Sequence, residues 1–229
     1  MLHQVYTAAP AKPHAAVLVQ EQVIGGRYRV EWPLASGAMG EVWRGRDEHL
    51  HGRPCAIKAV LLAGATAEER AERAAWFARE AEVLSKLHHP AICDIRDVIS
   101  DGCTRYLVLE LIEGRTLADD LAARGGPGLP EAEVLSWAAT LCDALSYLHS
   151  QTPPITFRDL KLQNVMRRPD GRLALIDFGI ARAMMATGGT AIGTGGYAPP
   201  EQYQGLADAR SDVYGLAATL HRVLTGRDP

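Results

Sequence analysis

The chain has 229 residues, 22% of them charged and 47% apolar, with a net charge of -3 and a pI near 6.2. That excludes an intrinsically disordered chain, argues against the basic face a nucleic-acid partner needs, and leaves enough length to bury a core in one large domain or two small lobes. The four cysteines, Cys55, Cys93, Cys103 and Cys142, are scattered, so reduced and mostly buried thiols are expected rather than disulfides or zinc. No basic stretch followed by a long apolar run opens the chain, and Ala15–Val19 is too short for a signal-peptide core or a membrane span. A cytoplasmic chain is expected.

Residues 1–23, with Pro10, Pro13 and little periodicity, read as a loosely ordered leader. Tyr28-Arg29-Val30 opens an extended segment, Leu34 to Val42 holds a glycine turn, and Val42-Trp43-Arg44 resumes a strand. Cys55–Val60 reads as a buried strand. Thr66 with Glu69 makes a capping box. The helix it opens runs to about Leu87, with Trp76, Phe77, Ala81, Leu84 and Leu87 at helical spacing, and His89-Pro90 closes it. Ile95–Ile99 and Tyr106–Glu110 are two further strands around an Asp101-Gly102 turn. From about Ile112 the pattern turns helical. A long helix covers Glu131 to His149, with Val134, Leu135, Ala138, Leu141, Cys142, Leu145 and Leu148 inward. Val165-Met166 and Leu173–Ile176 are short strands around Asp170-Gly171. Ser211 to Leu224 is a final helix, apolar on more than one face.

The chemistry concentrates in Phe157-Arg158-Asp159-Leu160-Lys161-Leu162-Gln163-Asn164, followed thirteen residues after Asn164 by Asp177-Phe178-Gly179. An Asp, an Asn five residues later, a strand and then Asp-Phe-Gly is the layout of a phosphoryl-transfer catalytic loop. One carboxylate must receive the proton of an acceptor hydroxyl, which suits Asp159. An amide and a second carboxylate must hold metal ions that bridge ATP phosphates, which suits Asn164 and Asp177. Lys161 can neutralise charge on the transferred group. Upstream, Gly37 and Gly40 lie between two strands and let the backbone fold closely over phosphates. Glycine turns between strands are common, so this segment alone carries little weight. Lys58 ends an apolar strand run, where a lysine is usually a solvated edge charge.

Taken in order, these motifs resemble those of a bacterial eukaryotic-like (Hanks-type) serine/threonine protein kinase. Gly37-Ala38-Met39-Gly40-Glu41-Val42, His89-Pro90, Leu109-Glu110, Gly193–Gln202 and Ser211-Asp212-Val213-Tyr214-Gly215-Leu216 match that style. The likeness runs from about Gly26 to the end. It implies an α+β, bilobal protein-kinase-like fold. Residues 24–111 would form an antiparallel N-lobe with one main helix, and residues 112–229 a mainly helical, C-terminally truncated C-lobe. It implies ATP with Mg2+, or Mn2+ in its place. Leu34, Val42, Ala56 and Met166 would sandwich adenine, with Leu109 behind it and backbone groups of Glu110 and Ile112 bonded to the base. Lys58 would hold the phosphates and pair with Glu80, with Glu82 as the alternative partner. Thr194 would touch Asp159 and Lys161 and shape a site for a Ser or Thr acceptor. Asp212 would anchor the catalytic-loop backbone, or cap its helix together with Ser211.

Three departures from the family pattern stand out. Ala35 replaces the first glycine of the loop. Phe157 replaces a histidine and is expected to stack on Phe178. The chain also stops where the family continues, which leaves out the arginine that pairs with Glu201 and leaves part of the final helix uncovered. Thr190, then Thr187, is the expected activating phosphosite, with Arg158 as receiver. Three activities compete: an ATP-dependent kinase of protein Ser/Thr hydroxyls, with self-association for trans-autophosphorylation; a catalytically weak kinase-like scaffold; and a small-molecule phosphotransferase. The intact Lys58, Asp159, Asn164 and Asp177 favour the first over the second. The Gly193–Glu201 segment disfavours the third.

Overall fold

The structure is a computed structural model that describes residues 18–37, 40–61, 66–102, 104–125, 128–177 and 194–229. The chain divides into two compact units, one of Met1–Leu87 with Asp94–Leu111, the other of His88–Cys93 with Ile112–Pro229. The short His88–Cys93 stretch belongs with the second unit for a backbone reason. Cys93 N donates to Leu175 O at 2.9 Å and Leu175 N donates to Ala91 O at 2.8 Å.

The first unit is a six-stranded sheet of order β1-β2-β3-β4-β6-β5, every neighbouring pair antiparallel. Its strands are β1 (Val23–Ile24), β2 (Tyr28–Gly37), β3 (Gly40–Asp47), β4 (Arg53–Leu61), β5 (Ile95–Asp101) and β6 (Thr104–Glu110). Strand alternation gives the sheet two different faces. One face carries Tyr28, Val30, Cys55, Ile57, Ala59, Tyr106 and Val108, which cluster with Leu18 and Ile24 as a buried core. Gly45 lies on this face, where an added Cβ would meet the Ile57 side chain and the Arg29 carbonyl. Residues 18–23, placed by composition in the leader, are ordered here. Leu18 is buried in that core and Val23 pairs with Arg29. The sheet curls until its edges meet: Tyr28 Oη on β2 donates to Asp97 Oδ2 on β5 at 2.8 Å. Helix α1 (Ala67–Ser85) lies against β5 and starts at the Thr66–Glu69 capping box. It buries Phe77, Ala81 and Leu84.

The second unit holds a three-stranded sheet of β7 (Arg115–Thr116), β8 (Val165–Arg167) and β9 (Leu173–Leu175). Its α-helices among the described residues are α2 (Leu117–Arg124), α3 (Glu131–His149), α4 (Pro200–Tyr203) and α5 (Ala209–Thr225). The α3 boundaries match the sequence expectation, but its rotation does not. Val134, Trp137, Leu141, Ala144, Leu145 and Leu148 are buried, while Leu135 and Cys142 are exposed and Ala138 is half-buried. The helix is apolar around much of its circumference, so hydrophobicity alone left its rotation open, and the buried stripe runs through the Trp137 indole. Among the described cysteines, Cys55 and Cys93 are buried, in line with mostly buried thiols, while Cys142 is exposed. Helix α5 begins two residues earlier than expected, at an Asp208 N-cap that exchanges hydrogen bonds with Ser211. It buries Asp212, Gly215, Leu216, Ala218, Thr219 and Val223, and exposes Val213, Tyr214 and Leu224. No helix among the described residues is long and apolar enough to cross a membrane.

Candidate active site

In the first unit, the sheet face opposite the core carries the residues expected at the nucleotide. Val42 pairs with Lys58, Ala56 pairs with Leu109, and Ala56 and Lys58 are two residues apart on β4, so all four share that face. Lys58 is only 4% exposed, far from the solvated edge charge an isolated strand lysine would be. Gly37 pairs with Gly40 at the end of the β2–β3 hairpin, with Ala35 opposite Val42, and Leu34 is half-buried nearby on β2. Glu110 donates its backbone N–H to Asp94 O at 2.9 Å. On α1, Glu80 is half-buried and lies on the face of Phe77 and Leu84. Glu82 is exposed and paired with Lys86 at 2.9 Å, and that cation holds its carboxyl below the usual range.

In the second unit, Ile112 is buried, and Met166 lies half-buried on β8 between Thr116 and Ala174. The catalytic motif closes into one cluster around Asp159, itself buried. Asn164 Nδ2 donates to Asp159 Oδ2 at 2.9 Å and to the Asp159 carbonyl at 2.8 Å. Lys161 Nζ stands 3.0 Å from Asp159 Oδ2 and 3.4 Å from Thr194 Oγ1, and that hydroxyl also reaches Asp159 Oδ1 at 3.4 Å. This is the contact expected of Thr194. With its amide nitrogen on Asp159, Asn164 offers Oδ1 as a metal-type donor. Ile176 N donates to Asn164 O at 2.9 Å, which brings Asp177 in next to it at a positive φ of 65°. An amide oxygen and a carboxylate are hard oxygen donors, and they fit Mg2+ shared with substrate phosphates.

Asp212 anchors the loop from α5. It is fully buried, and its carboxylate accepts from Phe157 N and Arg158 N, each at 2.8 Å, with His149 Nε2 also at 2.8 Å. It does not cap its helix; Asp208 does. Phe157, in the place of the family histidine, is fully buried, while its expected partner Phe178 lies outside the described residues, as do Thr187 and Thr190. Glu201 meets Ser211 Oγ at 3.5 Å. Sequence reasoning missed Thr156, His149, Gln202 and Thr219, all of which contact the loop or its Asp212 anchor. The available signal was a polar residue inside an apolar element, clearest at the fully buried Thr219.

Residues 28–229 match the protein kinase domain family model. The chain belongs to the protein kinase family. It is 39% identical to serine/threonine-protein kinase pkn2 of Myxococcus xanthus, over 90% of this chain and 25% of that protein. It is 34% identical to serine/threonine-protein kinase PknL of Mycobacterium tuberculosis, over 92% of this chain and 52% of that protein. The chain thus spans at most about half the length of these two relatives. Its structure is similar to the crystal structure of the Mycobacterium tuberculosis PknI kinase domain, with a TM-score of 0.74 and 29% identity, over 93% of this chain and 78% of that one. A kinase with an antiparallel N-lobe sheet and a helical C-lobe is the fold the two units present.

Proposed function

We propose that this kinase transfers the γ-phosphoryl group of ATP to Ser or Thr hydroxyls of proteins. The observation that carries the reading is the buried cluster of Asp159, Lys161, Asn164 and Thr194. Asp159 accepts the proton as the acceptor O–H bond breaks, the new O–P bond forms, and the bond from the γ-phosphorus to the bridging oxygen breaks to release ADP. Asn164 locks the Asp159 carboxylate toward the acceptor. Lys161 offsets negative charge on the moving group, and Thr194 borders the place where a Ser or Thr hydroxyl would sit. Asn164 and Asp177 would hold Mg2+, or Mn2+ in its place, which neutralises the donor phosphates when bound. Val42, Ala56, Leu109, Met166 and Leu34 would bind adenine. Glu110 and Ile112 would bond its edge through the backbone, and Gly37 and Gly40 would lie over the phosphates. Lys58 would hold the phosphates in a pair with Glu80, because Glu82 is committed to Lys86.

A cytoplasmic setting with access to ATP suits this chemistry. Encounter between two copies would allow phosphorylation in trans of Thr190 or Thr187. A scaffold without chemistry is the weaker reading, because Lys58, Asp159, Asn164 and Asp177 are all intact. The test is transfer from labelled ATP with magnesium to a generic protein acceptor. Asp159→Asn should keep nucleotide binding while turnover falls by about 10²–10⁴-fold. Near-normal turnover in that variant would end the assignment.

A further inference from the structure

Arg158, the residue immediately before the base, adopts a φ of 67°. An L-residue with a Cβ is disfavoured there and stays only where its surroundings over-determine it. Its φ and ψ are the relative orientations of the two peptide planes that flank its Cα. Asp212 holds the first plane, through the N–H of Arg158 at 2.8 Å. The second plane, which joins Arg158 to Asp159, is held by its carbonyl: Gln202 Nε2 donates to Arg158 O at 2.9 Å. A third tie runs to the side chain, where Arg158 Nε donates to Thr156 Oγ1 at 2.9 Å. Beyond the base, Asn164 holds the Asp159 carbonyl and Thr219 Oγ1 reaches the Leu160 carbonyl at 3.4 Å.

Within this set Gln202 has a distinct position. It sits on α4, downstream of Thr194 in the segment whose first turn closes when Tyr197 N and Ala198 N both donate to Thr194 O at 3.0 Å. The segment therefore meets the catalytic loop twice, with Thr194 at the Asp159 carboxylate and Gln202 at the peptide that carries Asp159. Loss of the Gln202 donor frees that peptide plane to rotate. Rotation changes ψ of Arg158 and φ of Asp159 and turns the carboxylate away from Asn164 and Lys161.

We propose that Gln202 is a positioning residue for Asp159, acting through the Arg158 carbonyl. The functional arm of its test rests on the phosphoryl-transfer reading above; the second arm does not. Gln202→Met keeps the length of the side chain and removes the donor. It should lower kcat about tenfold and leave the ATP KM within about twofold, because the nucleotide-binding groups are untouched. Because Arg158→Gly already loosens the same peptide, the same substitution in that background should cost less than about threefold. Independently of activity, amide hydrogen exchange over Arg158–Leu160 should quicken at least about tenfold in Gln202→Met, with Leu216–Val223 of α5 unchanged. Unaltered exchange in the loop, equal losses of kcat in both backgrounds, or a raised ATP KM with kcat intact would each overturn the proposal. A wild-type chain with no transfer at all would remove the phosphotransferase reading and leave exchange to decide this one.

Discussion

Asp212 shows how much one buried carboxylate can organise. Its two oxygens accept from two consecutive amides and face His149, and no solvent reaches its side chain. A buried charge is retained only with such partners, since taking it out of water unpaired is prohibitive. An Asn in its place can still accept one amide, but its own NH2 then faces the other N–H. Asp212→Asn should therefore lower unfolding stability by about 1–3 kcal/mol, read from urea unfolding, and should also slow phosphoryl transfer. Unchanged urea unfolding would mean that the two amides find other acceptors. Asp159 is the complementary case, a buried carboxylate held by Lys161, Asn164 and Thr194.

At the scale of elements, end signals were easier to read than faces. Thr66 and Glu69 form the reciprocal box that starts α1, as their spacing indicated. The same device starts α2, where Thr116 Oγ1 accepts from Asp119 N at 3.1 Å while Asp119 accepts from Thr116 N at 3.1 Å. That helix was not separated from the general helical pattern after Ile112, because Thr116 also pairs with Met166 as a two-residue strand, too short to leave a period. Thr116→Ala should cost about 1 kcal/mol in urea unfolding, and Thr116→Ser should recover most of it. Equal stability of the Ala variant would show that packing alone holds this turn. Helix α5 starts two residues earlier than expected, since Asp208 gave a stronger start than Ser211. Its Gly215 lets the helix approach the catalytic loop, where an added Cβ would stand 3.2 Å from the Leu160 carbonyl oxygen.

At the scale of the whole molecule, the first unit depends on a polar tie across its curled sheet. Arg27 donates Nε and Nη2 to the buried Asp47 at 2.9 and 2.6 Å, and its Nη1 lies 3.5 Å from Asp97, which also holds Tyr28. The Arg27 guanidinium holds the Asp47 carboxyl below its ordinary value, against the upward push of burial. Because the folded value lies below the unfolded one of about 3.9, the stabilisation is complete above that value and is lost as pH falls through the folded value. The melting-temperature gap between wild type and Asp47→Asn should thus be widest above about pH 5 and narrow toward about pH 2. A gap that stays constant across that range would take the Asp47 charge out of the account. By itself, the sequence determined the order of the longer strands and helices and the grouping of Asp159, Lys161 and Asn164. Periodicity, caps and motif spacing are local, and Asp159, Lys161 and Asn164 lie within one loop. Only the tertiary structure decided the rotation of α3, the burial of Lys58, the curl that brings Tyr28 to Asp97, and the hold of Asp212 and Gln202 on Arg158. Each of these depends on groups distant in the chain, which meet only once burial and hydrogen bonding select one packing among many that the same apolar pattern allows.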